Sequence, residues 1–331
     1  MRTVELGGTG ITTSALGLGC SAVMGRIGRR DSLRALGTAW DSGVTFFDTA
    51  RCYGYGESEA LLGEFLRTRR DKAVVSTKFG IMPSAQVLWK KLSKPLARAA
   101  LGILPASRSL LLQMASSQVS HGHFSIESLH QSVCDSLRAL RTDYIDVLFL
   151  HDATIDALEN DELFEAIDRL VASGKVRVAG VSAERSVIGR VLQRKTQSIK
   201  ALQFPCNVFD LSTPGILTEG DSAFVSVANH PFGGVEGVHE TRKIFQRLTT
   251  MAEMSSTLRA KLAVVDDEVL ADAVLNVILS SPGIHVVIPA MMKVRHIHSN
   301  VKAVTESRFS DSEIAWMRRE ISSSPEVSSP D

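Results

Sequence analysis

Residues Val44–Glu59 read VTFFDTARCYGYGESE, and this stretch decides how the rest of the chain is interpreted. It opens with a short apolar, β-rich run that ends on Asp48, and Tyr53 follows one short loop later. Parallel α/β barrels present ionisable groups in this way, at the C-terminal ends of buried strands. By itself the stretch is equally typical of a helix cap at Asp48 beside a half-buried aromatic at Tyr53.

Apolar runs of strand length alternate with amphipathic segments along most of the chain. After a predicted hairpin with its turn at Gly7-Gly8, we count eight such runs, separated by helical patterns such as Asp31–Asp41 and Ile126–Leu140. This alternation predicts parallel βαβ units in one domain over residues 1–331, and eight units favour a (β/α)8 TIM barrel. The alternative, an open doubly wound sheet, lacks its glycine fingerprint, since Gly17 and Gly19 have no third glycine at the required offset.

The composition excludes several classes of protein. The 331 residues are 44% hydrophobic with a formal net charge of +1, so nothing favours nucleic acid as a partner. The N-terminus lacks an apolar signal core, and no apolar run is long enough to span a bilayer, so we expect a cytoplasmic protein without stable membrane insertion. Four widely spaced cysteines suggest neither a metal site nor a disulfide framework: Cys20, Cys52, Cys134 and Cys206.

Ionisable side chains recur where the predicted strands end. Asp48, Lys78 and His151 end or follow strands two, three and four, and Tyr53 lies one loop past strand two. Each residue alone could have a purely structural role. Lys78 could be a solvated strand end, His151 a hydrogen-bonded histidine at a strand end, and Tyr53 a packing aromatic. Four such groups in register are much less expected by chance, so the pattern indicates a proton-transfer site at the barrel mouth.

Five segments resemble the aldo-keto reductase superfamily in order and spacing, from about Val4 to Val304. They are FFDTARCYGYGESE from Phe46, VVSTKFG from Val74, YIDVLFLHD from Tyr144, GKVRVAGVS from Gly174 and VVIPA from Val286. The resemblance implies a (β/α)8 barrel, a nicotinamide cofactor and reversible reduction of a carbonyl. It also implies a catalytic tetrad, which consists of Asp48, Tyr53, Lys78 and His151.

The chemistry of carbonyl reduction needs these residue types. When a hydride reaches the carbonyl carbon, a donor must protonate the oxygen as charge develops. A free tyrosine has a pKa of about 10, and a neighbouring Lys78 ammonium is expected to lower the pKa of Tyr53. Asp48 would hold Lys78 charged through a charge-assisted hydrogen bond. His151 would be a second polar contact to the carbonyl oxygen.

The resemblance also implies a set of cofactor-binding residues. Ser182 and Gln203 correspond to partners of the nicotinamide carboxamide. The glycines of HPFGG would let backbone N–H groups approach the pyrophosphate. The remaining residues lie beside those glycines or in the adenosine-phosphate region, and the full set is Ser182, Gln203, Phe232, Gly233, Gly234, Lys293, Arg295 and Asn300.

The chain departs from the family pattern at three places in this region. Ala183 stands where an asparagine usually follows Ser182, and the usual stacking aromatic is replaced near Asn229 and His230. Ala290, Met291 and Met292 replace basic and small polar residues after the proline.

A 2′-phosphate needs paired cations, for which Lys293 and Arg295 are candidates, although both also suit an exposed helix start. We therefore expect NADPH as the cofactor, with NADH as the alternative.

The segment 80–124 has no acidic residue but carries five basic ones, which are Lys90, Lys91, Lys94, Arg98 and Arg108. A loop of this length favours a function, and a lid over the barrel mouth is our main interpretation. The alternatives are a basic surface for a membrane or partner, and a solvated surface helix. The Ser/Pro-rich tail 322–331 is expected to be flexible.

These observations predict an NAD(P)H-dependent oxidoreductase that acts on an aldehyde, ketone or sugar-like carbonyl, or on the alcohol in reverse. Two alternatives stay open. One is a cofactor-binding regulatory subunit with little turnover, which the altered carboxamide position favours. The other is an isomerase or dehydratase that uses Tyr53 and Lys78. The sequence leaves the substrate and the oligomeric state open.

Overall fold

The computed structural model describes residues 1–83, 119–194, 199–211 and 224–323. The strands in these ranges are β1 (Thr3–Glu5), β2 (Thr12–Ser14), β3 (Gly17–Gly19), β4 (Phe46–Asp48), β5 (Val74–Phe79), β6 (Met82–Pro83), β7 (Val119–Ser120), β8 (Ile145–His151), β9 (Val176–Ser182), β10 (Ile199–Pro205), β11 (Val225–Asn229) and β12 (Val286–Ile288). The helices are α1 (Arg29–Asp41), α2 (Ser58–Leu66), α3 (Ile126–Leu140), α4 (Ile155–Leu158), α5 (Asp161–Ala172), α6 (Arg185–Arg194), α7 (Gly234–Leu248), α8 (Ser256–Lys261), α9 (Asp267–Leu279), α10 (Val294–Thr305) and α11 (Asp311–Ser322).

Eight strands form one parallel sheet in chain order, from β3, β4 and β5 through β8 to β12. The sheet closes on itself because Leu16 pairs with Val287 in a parallel bridge. Two hydrogen bonds complete this seam, from the N–H of Val287 to the carbonyl of Ala15 and from the N–H of Gly19 to the carbonyl of Pro289. The predicted (β/α)8 barrel with eight strands is confirmed.

The barrel interior is an apolar core, and polar side chains lie at the open end of the barrel. Alternate residues of the strands, such as Phe46, Val74, Phe149 and Val227, pack together inside the barrel. Leu6 and Ile11 of the N-terminal hairpin β1–β2 belong to the same cluster. Because successive side chains of a strand point to opposite faces, the next inward positions can be read from the sequence. They are Asp48, Ser76, Lys78, His151, Ser182, Gln203 and Asn229.

Four helices were not predicted from the sequence, namely α4, α7, α8 and α11. The helix α7 starts directly after two glycines with left-handed φ, Gly233 and Gly234, which read as a phosphate loop rather than a helix start. The helix α11 starts with a capping box between Ser310 and Glu313, a local signal that was present in the sequence. The predicted helix Ile126–Leu140 agrees with α3, and the predicted helix Asp31–Asp41 ends where α1 ends.

The segment 80–124 is described only at its two ends. There Met82 pairs with Ser120 and Pro83 with Val119, so β6 and β7 join the ends in an antiparallel pair beside the C-terminal end of β5. The five basic residues of the predicted lid lie outside the described residues. The same holds for most of the predicted flexible tail, of which Ser322 belongs to α11. None of the helices in the described ranges combines the length and the apolar character that a membrane span requires.

The contact between α2 and α3 depends on Gly63. A Cβ at this position would lie 2.5 Å from the carbonyl oxygen of Ala139 and 2.5 Å from the carbonyl carbon of Leu140. Backbone atoms cannot yield as a flexible side chain can. The helices therefore approach as closely as they do only because the side chain is a hydrogen atom.

We expect Gly63→Ala to lower the free energy of unfolding by about 1–3 kcal/mol, since the helices must separate to admit the methyl group. Gly37→Ala in α1 is the matched control, because a Cβ there meets nothing within 4 Å. That substitution should raise stability by up to about 1 kcal/mol through helix propensity. Urea unfolding of both variants measures the two effects. Equal stability of Gly63→Ala and wild type would refute the close contact.

Candidate active site

A buried ion pair lies at the centre of the barrel mouth. The Lys78 Nζ donates to Asp48 Oδ2 at 2.6 Å and to the carbonyl of Thr49 at 2.9 Å. The Ser76 hydroxyl donates to the other Asp48 oxygen at 2.7 Å. Burial alone would lower the pKa of Lys78, but the charge and the hydrogen bond of Asp48 raise it above its ordinary value. Lys78 therefore stays an ammonium.

A tight turn places the Tyr53 ring beside Lys78. The turn Tyr53–Gly56 starts with the N–H of Tyr53 donating to the carbonyl of Ala50 at 3.1 Å. Gly54 has a φ of +59°, and a Cβ there would collide with the carbonyl oxygen of Val23. The Lys78 Nζ lies 4.9 Å from the centroid of the Tyr53 ring.

Burial dominates the acidity of the Tyr53 phenol. The loss of water raises its pKa to about 12, and the negative charge of Asp48 acts in the same direction. The positive charge of Lys78 lowers the pKa of Tyr53, as predicted, but this effect does not outweigh the burial. The expectation of a phenol more acidic than free tyrosine is therefore wrong for this structure. At neutral pH the Tyr53 phenol is protonated.

His151 faces Tyr53 from the end of β8. The two ring centroids are 6.0 Å apart, with the planes at 85°, and the His151 Nδ1 lies 4.0 Å from the Cys52 sulfur. Burial and the charge of Lys78, with a smaller effect of His121, lower the pKa of His151 to about 3. The imidazole is therefore neutral at physiological pH. The structure thus brings all four predicted catalytic residues together.

Ser182 and Gln203, the predicted partners of the nicotinamide carboxamide, form a chain of hydrogen bonds that ends at Asp48. The Ser182 hydroxyl donates to Gln203 Oε1 at 2.8 Å, and the Gln203 Nε2 donates to Asp48 Oδ1 at 2.9 Å. Gln203 is fully buried. Sequence reasoning missed this link because the two bonded residues lie 155 positions apart. Beside Ser182, Ala183 contributes only its N–H, which donates to the carbonyl of Gln203.

Glu59 is a second buried carboxylate beside the site, and it holds the loop that carries Tyr53. Sequence reasoning did not single it out. Glu59 is 1% exposed and accepts hydrogen bonds from Arg51, Thr77 and Ser136 at 3.0, 2.7 and 2.7 Å. These partners belong to the loop after β4, to β5 and to α3. Glu59 therefore ties the loop that carries Tyr53 to the strand that carries Lys78.

A groove with about 920 Å³ of empty space, open to solvent, lies beyond the end of β12. Three predicted cofactor residues line it, which are Phe232, Arg295 and Asn300. Gly233 and Gly234, at the start of α7, follow Phe232 directly, and Lys293 is the N-cap residue of α10. His296, which the sequence reasoning missed, also lines the groove and accepts from the Arg295 Nε at 3.2 Å.

The residues at the mouth and in the groove fit a nicotinamide dinucleotide. Helix N-termini attract anions, and α7 and α10 both begin beside the groove. Lys293 and Arg295 are exposed there as cations. The chain continues from Ile288, at the mouth, through Pro289 into the groove. Among the residues that the structure describes, no group of three acidic, histidine or cysteine side chains is arranged to hold a metal ion.

Comparison with known proteins identifies the family. The model of the Aldo/keto reductase family matches residues 15–320 of this chain. The chain belongs to the aldo/keto reductase family. It is therefore an oxidoreductase of a family that reduces small carbonyl compounds with NAD(P)H.

Three known proteins, one compared by sequence and two by structure, are similar to this chain over most of their length. Aldo-keto reductase ausK from Aspergillus calidoustus is 26% identical over 93% of this chain and 78% of its own. In fold, this aldo-keto reductase resembles aldo-keto reductase AKR11C1 from Bacillus halodurans (holo form), with a TM-score of 0.67 and 21% identity over 97% and 95% of the two chains. The aldo/keto reductase from Klebsiella pneumoniae in complex with NADP and acetate has a TM-score of 0.63 and 22% identity over 97% and 95%.

The hydrogen-bond series in this aldo-keto reductase predicts that Gln203 supports the ligand-free fold. Gln203→Met keeps the length of the side chain, but it leaves the Ser182 hydroxyl without its acceptor and removes one of the two hydrogen bonds to Asp48 Oδ1, which keeps the bond from Ser76. The free energy of unfolding of the ligand-free protein should fall by about 1–3 kcal/mol in urea. Ser182→Ala, which removes only one bond, should cost less. If Gln203→Met is as stable as wild type, the amide serves only a bound ligand.

The lowered pKa of His151 predicts a pH-dependent contribution to stability. Because its pKa is about 3 when folded and about 6.5 when unfolded, the unfolded chain binds the proton first as pH falls. Wild type should lose up to about 1.4 kcal/mol per pH unit below pH 6.5 relative to His151→Gln. Unfolding free energies of both proteins at pH 7 and pH 5 test this. A difference that is the same at both pH values contradicts a neutral buried imidazole.

Proposed function

We propose that this aldo-keto reductase uses NADPH to reduce an aldehyde, ketone or sugar-like carbonyl to an alcohol, with Tyr53 as the proton donor. The observation that carries the proposal is the position of the Tyr53 phenol beside the buried Lys78–Asp48 ion pair. This pair places a permanent positive charge beside the atom that loses the proton. Neither a binding subunit nor a packing role requires that arrangement.

Each of the four residues at the barrel mouth has its own role in the proposed reaction. The bound dinucleotide supplies a hydride to the carbonyl carbon. Tyr53 transfers its hydroxyl proton to the carbonyl oxygen as negative charge develops there, and the phenolate that remains is stabilised by Lys78. Asp48 keeps Lys78 charged and in place. The neutral His151 donates an N–H to the same oxygen and orients the carbonyl.

The state of Tyr53 favours reduction over oxidation at neutral pH. Reduction needs the protonated phenol, which a pKa of about 12 supplies in full. Oxidation of an alcohol needs the phenolate as a base, and this form is scarce at pH 7. The oxidation rate is therefore expected to rise with pH over the range in which the reduction rate is flat.

NADPH is the proposed cofactor because two cations stand at the groove. Lys293 and Arg295 are exposed at the start of α10 and suit a 2′-phosphate, which an arginine fork can bind through two hydrogen bonds. A family relative is known in complex with NADP, which supports the same choice. Titration of the protein with NADPH and NADH tests it. Equal affinity for the two would favour NADH as the alternative.

The mechanism predicts that Tyr53→Phe lowers kcat by about 10²–10⁴-fold with any carbonyl that wild type reduces, because the proton donor is lost. The affinity for NADPH should stay the same. Turnover is followed by the absorbance of the reduced nicotinamide over a panel of aldehydes, ketones and sugars. Tyr144→Phe is the matched control, because Tyr144 precedes β8 at the opposite end of the barrel and should leave kcat unchanged.

The same assay separates the alternatives. Turnover by Tyr53→Phe at the wild-type rate would remove Tyr53 from the role of proton donor. NADPH binding without turnover of any carbonyl would favour a regulatory subunit. Conversion of a substrate without consumption of NADPH would favour an isomerase or dehydratase.

A further inference from the structure

The side chain of Asn229 has a buried amide oxygen without a hydrogen-bond partner. The Oδ1 atom accepts from no donor in the described part of the chain and has almost no contact with solvent. Buried polar atoms in folded proteins are nearly always paired. An unpaired acceptor of this kind destabilises the ligand-free protein, so its presence at the mouth of a catalytic barrel indicates a role in binding.

The position of Asn229 on its strand places it on the inner surface of the barrel. Val225 and Val227 of β11 belong to the apolar cluster inside the barrel. Because side chains alternate along a strand, Asn229 points to the same side, one step closer to the open end. Its register partner on β10 is Pro205, two residues past Gln203 towards the open end.

Asn229 also lies between the two parts of the proposed cofactor site. On one side β11 pairs with β10, which carries Gln203 and through it the Asp48 ion pair. On the other side Asn229 pairs with Ile288, and the chain after Ile288 lines the groove. A ligand that reaches from the ion pair to the groove must pass this residue.

We propose that the Asn229 amide oxygen accepts a hydrogen bond from the nicotinamide nucleoside half of the dinucleotide. This inference rests on the cofactor of the proposed function. The available donors in that half are the carboxamide N–H₂ and the ribose hydroxyls. Asn229 thereby supplies a side-chain amide to a site where Ala183 offers none.

The inference makes opposite predictions for stability and for binding. Asn229→Leu replaces the unpaired oxygen with an apolar group of similar size. It should raise the Tm of the ligand-free protein by about 2 °C or more, since an unsatisfied buried acceptor is removed. The same substitution should weaken NADP⁺ binding by about tenfold, as measured by isothermal titration calorimetry without any turnover.

The matched control is Asn276→Leu. The Asn276 amide in α9 donates to the backbone and side chain of Asp272 and to the carbonyl of Ala303, each at 2.9 Å. Its loss should lower Tm and leave the affinity for NADP⁺ unchanged. A structural asparagine and a ligand-binding asparagine are therefore distinguished by the sign of the change in Tm.

Three ligands identify the donor. Asn229→Leu should weaken NADP⁺ but not adenosine 2′,5′-bisphosphate, which lacks the whole nicotinamide nucleoside. Weakened binding of 2′-phospho-ADP-ribose would assign the hydrogen bond to the ribose, and unchanged binding would assign it to the carboxamide. Both results support the inference.

Unchanged NADP⁺ affinity in Asn229→Leu, or a fall in Tm like that of Asn276→Leu, would overturn the inference while leaving the proposed function intact. Failure of the wild-type protein to bind NADP⁺ or NADPH at all would overturn the proposed function and the inference together.

Discussion

The buried ion pair between Lys78 and Asp48 is the interaction on which the rest of the site depends. Moving two charges out of water costs several kcal/mol for each ion, and their mutual attraction offsets this only when their other hydrogen bonds are also satisfied. Here Asp48 accepts from Ser76 and Gln203 as well as from Lys78, and Lys78 also reaches the carbonyl of Thr49. These residues come from three strands and one loop. The barrel must close in one register for the pair to exist.

The same burial determines the chemistry of the two neighbouring groups. It raises the pKa of Tyr53 and lowers the pKa of His151, so both side chains are neutral when a substrate arrives. A neutral phenol is a proton donor, and a neutral imidazole offers an N–H without a competing charge. The charge of Lys78 lowers the pKa of Tyr53, whereas burial raises it. Lys78 matters most in the transition state, because it stabilises the phenolate that forms there. The site is therefore built for protonation of a nascent alkoxide, which agrees with membership in the aldo/keto reductase family.

The alternation of strands and helices predicted the barrel, and the strand ends predicted which residues meet at its mouth. Those inferences succeed because period and spacing are local properties of a chain. The bond between Gln203 and Asp48 joins residues far apart in sequence, so no local pattern contains it. The pKa of Tyr53 depends on the balance of burial against the charge of Lys78, and burial is known only once the chain is folded. The unpaired oxygen of Asn229 is visible only in the folded structure, where no donor in the described part of the chain reaches it. The helix after Gly234 was missed because its first residues suit a loop equally well.

The protonation state of Tyr53 tests this account most directly. The chain has three tyrosines, Tyr53, Tyr55 and Tyr144, so a protein labelled with ¹³C at the tyrosine Cζ shows three resonances that single Tyr→Phe variants assign. The account predicts that the Tyr53 resonance of the ligand-free protein keeps its phenol position from pH 7 to about 10, in line with a pKa of about 12. Movement to the phenolate position below about pH 9 would contradict it, because Lys78 would then dominate over burial.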